Sequence, residues 1–179
     1  RNPDPKLELE ESSIVEWQPG KLLMHIRVDG TGWIWESRSE DYGTTWSDAR
    51  PAMRGVLNSV LTKIPGSRTI AAFFHPHVAS LEPDQSRSPG KRGQNRIILA
   101  AQLSSDGGRT WHGYKEIDYD GTSWQDYPSV LWIGDTLHLA WRWYPKGMSR
   151  GFNDPYRHVR YLSMDKKWLL GPPARWRER

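Results

Sequence analysis

The amino-acid sequence predicts an all-β protein built from about three units of four short strands. The first observation is a repeat, since two stretches, beginning at Ser39 and at Ser104, fit the pattern S-x-D-x-G-x-T-W. The second is the composition, because 11 Trp and 7 Tyr accompany 16 Gly and 13 Pro. Aromatic residues that alternate with turn residues favour strands joined by tight turns, and a repeated motif indicates repeated supersecondary structure.

The first unit follows a charged, proline-interrupted lead-in over residues 1–10. Turns are predicted at Pro19-Gly20 and at Asp29-Gly30, because proline presets φ and glycine accepts positive φ. The first copy of the repeat forms the next hairpin. The predicted strands of this unit are 13–17, 22–28, 33–39 and a short one near Ala49.

The pattern then restarts twice. Segments 79–95 and 145–155 combine Ser, Pro, Gly and charged residues and are predicted to be loops, and 171–179 is predicted to be a basic tail. Up-and-down units of this kind form the blades of β-propellers, so residues 11–170 are predicted to make about three blades. The predicted strands of the second and third units are 56–64, 69–75, 96–103, 114–119, 129–133, 136–143 and 158–163.

Three blades cannot close a ring, because propellers have about four to eight. We therefore expect the chain to pair with a second half or another protein chain, to self-associate, or to be a fragment. The first residue is Arg1 rather than Met, which is typical of a processed or fragmentary chain. This start favours a secreted or organellar location, although the sequence does not identify the compartment.

The composition also limits the chemistry of the chain. It has no cysteine, which excludes disulfides, zinc thiolates and thiol catalysis. No apolar run reaches the length of a membrane span, and no signal peptide is present, so no transmembrane segment is expected. The net charge of +4 could attract an anionic ligand but does not imply nucleic acid. We predict no metal, no cofactor and no nucleic-acid partner.

Both copies of the repeat resemble the Asp boxes of sialidases and related BNR-repeat proteins, whose fold is a six-bladed β-propeller. The aspartate can accept hydrogen bonds from the backbone of the turn, the glycine tolerates positive φ, and the tryptophan anchors the next strand. The resemblance implies a structural role for both boxes, away from the active site. The box residues are Ser39, Asp41, Gly43, Thr45 and Trp46, and then Ser104, Asp106, Gly108, Thr110 and Trp111.

Segments around the boxes also resemble the sialidase family. The stretch from Glu11 to Arg27 resembles the family segment with a catalytic glutamate and a substrate-binding arginine. Asn95-Arg96, before an apolar strand and the second box, resembles the segment with another substrate-binding arginine. The stretch that begins Asp126-Tyr127 resembles the segment with the catalytic tyrosine. The order of these segments is similar to the C-terminal half of the family along most of the chain.

The resemblance implies an exo-glycosidase that acts on terminal sialic acid or a related acidic sugar. A planar guanidinium pairs bidentately with the sugar carboxylate, which implies a clamp of Arg27 and Arg96. Sialidases are among the glycosidases that use a tyrosine nucleophile. Tyr127 would attack, and Glu11 would take its proton as general base, with retention of configuration.

Each of these four residues has a structural alternative. Glu11 lies in an acidic stretch and could be a solvated surface charge, with Glu16 as a rival base. Arg27 could form a salt bridge at a strand end, and Arg96 is one of several cations in a basic loop. Tyr127 could pack as an ordinary aromatic residue at a strand start.

Two parts of the family site have no counterpart here, namely a third arginine and an aspartate acid/base that belong to the N-terminal half. The chain alone is therefore predicted to be unable to run the complete reaction. This absence favours a second hypothesis, a non-catalytic propeller subunit with a structural or interaction role in a larger assembly. A nucleic-acid-binding module, the third hypothesis, rests on charge alone.

Four weaker candidates remain. His75 and His77 could form a metal pair, although no third ligand is evident and a role at a loop edge is favoured. Asp118 and Asp120 could bind calcium but are favoured as turn residues. The basic run 87–96 could meet a phosphate or a membrane surface, with a solvated loop as the default interpretation. The run 175–179 is favoured as a tail or an interface strap over a nucleic-acid motif.

Overall fold

The computed structural model describes residues 3–77, 96–145 and 158–175. The predicted loop 79–95, nearly all of the predicted loop 145–155, and the end of the basic tail lie outside the described residues. Within them the chain is all-β, as predicted, apart from one short helix. No described helix has the length and apolar character that crossing a membrane would need.

Eleven strands and one helix follow one another along the described chain. The strands are β1 (Leu9–Gln18), β2 (Lys21–Val28), β3 (Trp33–Ser39), β4 (Arg50–Arg54), β5 (Val56–Lys63), β6 (Ile70–His75), β7 (Ile98–Ser104), β8 (His112–Tyr119), β9 (Ser123–Ile133), β10 (Thr136–Pro145) and β11 (His158–Asp165). The helix is α1 (Lys166–Leu170). Every predicted strand has a counterpart, and β1 and β9 begin several residues earlier than predicted.

The strands form three antiparallel sheets with consecutive neighbours. The orders are β1-β2-β3-β4, β5-β6-β7-β8 and β9-β10-β11. The first strands of the sheets lie side by side, because β1 contacts β5 and β5 contacts β9. This is the arrangement of successive propeller blades.

The third sheet has three strands within the described residues, so the prediction of a four-stranded third unit is wrong there. After β11 the chain turns into α1, whose first turn is capped by the Asp165 side chain accepting from the Lys167 N–H. Pro172 and Pro173 follow the helix, and a strand is disfavoured there because proline has no N–H to donate to a strand ladder. Ala174 instead pairs with the edge of β8, donating to Tyr114 O at 3.2 Å and accepting from Glu116 N at 2.8 Å.

The middle sheet has apolar side chains on both faces. Successive side chains of a strand point to opposite faces, and all six residues of β6 are buried. Ala72 and Phe74 join the core shared with the first sheet. Ala71 and Phe73 join the core shared with the third sheet. The second sheet is therefore the layer that holds the other two in place.

The two Asp boxes form the hairpins that follow β3 and β7. In the second box, Thr110 donates to Asp106 from its N–H at 2.9 Å and its hydroxyl at 2.6 Å, and Ser104 Oγ accepts from Gly108 N at 2.7 Å. The first box has the same bonds, with Thr45 donating to Asp41 at 2.8 and 2.6 Å. The hydrogen bonds from Thr45 hold the pKa of Asp41 at about 2.

The second box also joins two sheets. Gly107 O accepts from Arg38 Nη1 at 2.6 Å. A Cβ at Gly107 would lie 2.4 Å from the ring of Trp17, and one at Gly108 would lie 2.5 Å from Leu23. Both glycines have positive φ, so the turn and the close approach to the first sheet each require glycine. The second box therefore connects the first and second sheets and has a structural role.

Candidate active site

Strand direction separates the Asp boxes from the candidate site residues. Glu11 and Tyr127 lie near the starts of β1 and β9, and Arg27 lies near the end of β2. Because neighbouring strands are antiparallel, the start of a first strand and the end of a second strand share one end of a sheet. Arg96, just before β7, lies at that same end, whereas both boxes follow third strands and lie at the other.

A bulge in β9 places Tyr127. Ser129 pairs with Ala140 and Asp126 pairs with Arg142, so two residues of β9 oppose one of β10. Pro128 occupies one of the two positions and cannot donate to the ladder. Tyr127 occupies the other with a φ of +52°, which is uncommon for a residue with a side chain. The bulge displaces Tyr127 from the ladder and leaves it 44% exposed.

Tyr127 and Glu11 form a direct hydrogen bond between two sheets. The Tyr127 hydroxyl donates to Glu11 Oε1 at 2.8 Å, although the residues are 116 positions apart. Partial burial and this hydrogen bond raise the pKa of the Tyr127 phenol above its ordinary value. The phenol is therefore protonated at neutral pH, and its proton lies in the hydrogen bond to Glu11.

Arg27 fixes the other oxygen of Glu11. Its Nη1 donates to Glu11 Oε2 at 3.1 Å, while Nε and Nη2 donate to the two carboxylate oxygens of Asp29 at 2.7 and 2.9 Å. Glu10 also lies 3.3 Å from Nε. Hydrogen bonding to Asp29 raises the pKa of Arg27. Arg27 is thus permanently charged and holds Glu11 in one orientation.

Glu16, the rival for the role of Glu11, lies at the opposite end of β1. Its Oε1 accepts from Gly20 N at 2.9 Å, which stabilises the turn into β2. It is therefore placed with the Asp boxes rather than with Tyr127. The geometry favours Glu11 over Glu16 as the partner of the tyrosine.

Arg96 lies in a buried charge cluster behind Tyr127. It is 5% exposed, and its Nη1 donates to Asp126 Oδ2 at 2.7 Å and approaches Tyr144 Oη at 3.2 Å. Asp126 is fully buried and also accepts from the Tyr144 hydroxyl at 3.2 Å. Arg96 therefore neutralises the buried carboxylate of Asp126, the residue that precedes Tyr127 in the sequence.

Arg142 completes the cluster and was not singled out from the sequence. Its Nε and Nη2 donate bidentately to Asp126 at 2.5 and 2.6 Å. Its guanidinium carbon lies 4.8 Å from the ring centroid of Tyr127, within the range of a cation–π contact. The side chain is 30% exposed, so Arg142 is more accessible than Arg96. Its only signal in the sequence is a charge between Trp141 and Trp143 in a strand.

The weaker candidates have structural roles or lie partly outside the described residues. His75 is fully buried with Nδ1 2.9 Å from Ile98 O, and burial lowers its pKa to about 4. Asp118 pairs with Arg160 at 2.6 Å, and Asp120 accepts from the Thr122 N–H and the Trp143 indole. Among residues 3–77, 96–145 and 158–175, no group of three acidic or histidine side chains is placed to hold a metal. Of the runs 87–96 and 175–179, only Arg96 and Arg175 are described.

Solved structures with this fold include several glycoside hydrolases. The α-L-arabinofuranosidase of Fusarium graminearum, in complex with an iminosugar inhibitor, matches with a TM-score of 0.62 and 12% identity, over 92% of this chain and 48% of that one. The Penicillium chrysogenum α-L-arabinanase complexed with arabinobiose matches with 0.62 and 12%, over 92% and 49%. The K499G mutant of the NanB sialidase from Streptococcus pneumoniae matches with 0.60 and 16%, over 93% and 24%.

These matches establish a shared β-propeller fold with glycoside hydrolases. The chain spans about half the length of the two fungal structures and about a quarter of the sialidase. Comparison with curated proteins found none that matches the chain. The family model for the BNR repeat-like domain matches residues 6–139, which include both Asp boxes, Glu11 and Tyr127. The chain therefore belongs to the BNR repeat-like domain family.

Proposed function

We propose that the chain carries part of the active site of an exo-glycosidase that acts on terminal sialic acid or a related acidic sugar. The observation that carries the proposal is the 2.8 Å hydrogen bond from the Tyr127 hydroxyl to Glu11. It joins an exposed tyrosine to a carboxylate from another sheet, at the end of the sheets away from the Asp boxes. A nucleophile within hydrogen-bond reach of an oriented base is the arrangement that covalent catalysis requires.

In this mechanism the Tyr127 oxygen attacks the anomeric carbon of the sugar as Glu11 takes the phenolic proton. The bond from that carbon to the leaving-group oxygen breaks as that oxygen takes a proton from the acid/base aspartate of the other propeller half. Water, giving its proton to the same aspartate, then attacks the carbon, the bond to Tyr127 breaks, and Tyr127 recovers its proton from Glu11, so the configuration is retained. A neutral tyrosine suits a substrate whose carboxylate adjoins the reacting carbon, because a carboxylate nucleophile would be repelled. The raised pKa of Tyr127 makes the base necessary, since free phenolate is scarce at neutral pH.

The cations around the pair would receive the carboxylate of the sugar. Arg27 and Arg96 are the clamp that the family resemblance implies, and both already donate to carboxylates of this chain. Arg142 adds a third, more exposed guanidinium beside the Tyr127 ring. We assign Arg142 to the binding of the acidic group together with Arg27, with Arg96 holding Asp126 behind them.

The complete reaction requires groups from outside this chain. The resemblance assigns the third arginine and the acid/base aspartate to an N-terminal propeller half, and the chain spans about half of the two fungal structures. The outer face of the third sheet would receive such a half. Four large apolar side chains are exposed there on one face of β9 and β11: Leu131, Ile133, Val159 and Tyr161.

A non-catalytic propeller subunit is the second candidate. The observation that favours it is the engagement of Arg96, which is 5% exposed and bonded to Asp126 rather than open to a ligand. In this case the same charge cluster would serve stability alone. Glu11 and Tyr127 would then form an inter-sheet contact without chemistry.

Turnover of fluorogenic glycosides separates the two candidates. We expect the 179-residue chain with its native partner half to hydrolyse a 4-methylumbelliferyl sialoside, and the chain alone to be much slower. A 4-methylumbelliferyl α-L-arabinofuranoside is the control, because arabinofuranosidases share the fold, and we expect it to remain intact. Turnover of the arabinofuranoside instead would contradict the acidic-sugar assignment, and no turnover of either would favour the non-catalytic subunit.

A further inference from the structure

Arg142 lies between two tyrosine rings at the candidate site. Its guanidinium carbon is 4.8 Å from the ring centroid of Tyr127 and 5.3 Å from that of Tyr144. Both distances are within the range of a cation–π contact. Tyr144 is 1% exposed, whereas Tyr127 is 44% exposed. The arginine therefore extends from a buried ring to the ring of the candidate nucleophile.

Asp126 fixes the guanidinium of Arg142 from the interior. The two residues pair directly across β9 and β10, and the guanidinium donates to both carboxylate oxygens, through Nε at 2.5 Å and Nη2 at 2.6 Å. Two parallel hydrogen bonds fix the plane of a guanidinium as well as its distance. Asp126 is itself fully buried and also accepts from Arg96 and Tyr144. The position of Arg142 is therefore set by the interior of the protein before any ligand binds.

The bulge in β9 brings the ring of Tyr127 to this cation. Tyr127 directly follows Asp126, and its φ of +52° lies in the left-handed region. A residue with a side chain persists in that region where the surrounding structure enforces the conformation. Two contacts hold the side chain there, the hydrogen bond to Glu11 and the contact with Arg142. The hydroxyl and the ring of Tyr127 are thus held by different residues.

The charged groups that face Tyr127 come from four strands: Glu11 on β1, Arg27 on β2, Asp126 on β9 itself and Arg142 on β10. Burial, and then the hydrogen bond and charge of Glu11, raise the pKa of Tyr127, whereas the charge of Arg27 lowers it. The hydrogen bond to Asp126 is the largest cause that raises the pKa of Arg142, and the charge of an ionised Tyr127 raises it further. Because the interaction of two charges is mutual, an arginine that is stabilised by the phenolate also stabilises the phenolate.

Negative charge develops on the phenol oxygen at two moments of the proposed reaction. It develops when Glu11 takes the proton as the oxygen attacks, and again when the bond from the oxygen to the sugar breaks. A fixed charge close to the position where charge develops stabilises a transition state without reorganisation. Arg142 contacts the ring itself, so it would act at both moments.

We propose that Arg142 is a positioning residue for Tyr127, whose guanidinium, held by Asp126, orients the ring and favours negative charge on the phenol oxygen. Its effect on turnover rests on the proposed function, in which Tyr127 is the nucleophile. Its effect on the ionisation of Tyr127 is a property of the chain without substrate. The role is additional to the binding of the acidic group, because the ring contact uses the delocalised charge of the guanidinium rather than a hydrogen bond.

The test is a ¹⁹F NMR titration of the chain labelled with 3-fluorotyrosine, without substrate. Fluorine lowers the pKa of a phenol, so the titration ends at a milder pH, and the signal that Tyr127→Phe removes identifies Tyr127. We expect Arg142→Gln to raise the midpoint pH of Tyr127 by about 0.5–1, because loss of a cation–π contact disfavours the phenolate. Below the midpoint, the phenolate fraction is then about three- to tenfold lower. Arg142→Lys keeps the charge and should restore part of the difference.

Arg160→Gln is the matched control. Arg160 also lies 4.8 Å from the centroid of an aromatic ring, that of Trp143, and also pairs with carboxylates. It adjoins Val159, the β11 partner of Arg142, so it faces the opposite side of the third sheet. Its replacement changes the net charge equally and should leave the midpoint of Tyr127 unchanged.

An unchanged midpoint of Tyr127 in Arg142→Gln overturns the inference, and so does a shift of equal size in Arg160→Gln. A midpoint as high in Arg142→Lys as in Arg142→Gln also overturns it, because the charge would not be the cause. If Arg142→Gln does not fold, the wild-type chain decides: the ¹³Cζ signal of Arg142 should move through the midpoint of Tyr127, and a signal that stays in place overturns the inference. A chain that shows the expected midpoints but hydrolyses no sialoside with its partner half would overturn the proposed function and leave the coupling of Arg142 to Tyr127 in place.

Discussion

Replacing Tyr127 with phenylalanine is expected to lower sialoside turnover by more than about 10³-fold, since removal of a catalytic nucleophile leaves only binding and electrostatic contributions. The fold should be retained, because the hydroxyl lost is at an exposed position and, among the residues that the structure describes, bonds to Glu11, which is itself partly exposed. Glu11→Gln is expected to lower turnover by about 10²–10⁴-fold, the usual contribution of a general base. The measurement is kcat and KM for a fluorogenic sialoside with the partner half present.

Tyr42→Phe is the matched control for this pair of variants. Tyr42 is an exposed tyrosine in the first Asp box, at the end of the sheets away from Glu11. It should leave kcat unchanged. Equal kcat for Tyr127→Phe and wild type would show that the Tyr127–Glu11 hydrogen bond has no catalytic role, and the non-catalytic subunit would then be the better account.

The largest effect on stability is expected at Asp126. This fully buried carboxylate accepts from Arg96 and Arg142, at 2.5–2.7 Å. Asp126→Asn keeps the volume but leaves Arg96 buried without a counter-charge, and removal of one member of a buried ion pair costs about 3–5 kcal/mol. We expect the free energy of unfolding, measured by urea denaturation, to fall by that amount.

Asp118→Asn is the control for the buried cluster. Asp118 pairs with Arg160, whose side chain is 36% exposed, and exposed ion pairs contribute about 0–1 kcal/mol. Similar losses of stability for Asp126→Asn and Asp118→Asn would contradict the account of the cluster. That result would mean that water or a rearrangement of nearby side chains stabilises the charges of Arg96 and Arg142 after Asp126 is replaced.

The strands and the Asp boxes could be predicted because their signals are local. Alternating aromatic and polar residues give the strand period, and the aspartate, glycine and threonine of each box specify one turn. The third sheet has fewer described strands than predicted, because the chain after it contacts a strand that is distant in the sequence. Pro172 and Pro173 direct the end of the described chain to β8, a contact that the residues near β11 do not encode.

The candidate site could be predicted only in part. Glu11 and Tyr127 were identified through the family resemblance, and the structure places them 2.8 Å apart, a distance that no local pattern encodes. The burial of Arg96 and the role of Arg142 depend on which residues face each other across β9 and β10. That register depends on the bulge at Tyr127, which shifts the pairing of β9 with β10 by one residue.

Covalent trapping would identify the nucleophile of this chain. The probe is a 3-fluorosialosyl fluoride, whose fluoride leaves without protonation, so trapping does not require the general acid that the proposal assigns to an N-terminal half. The account predicts an adduct of one sugar on Tyr127, found by intact mass and peptide mapping, and absent from Tyr127→Phe. An adduct on a different residue, or an unmodified Tyr127 in a preparation that hydrolyses sialosides, would contradict it.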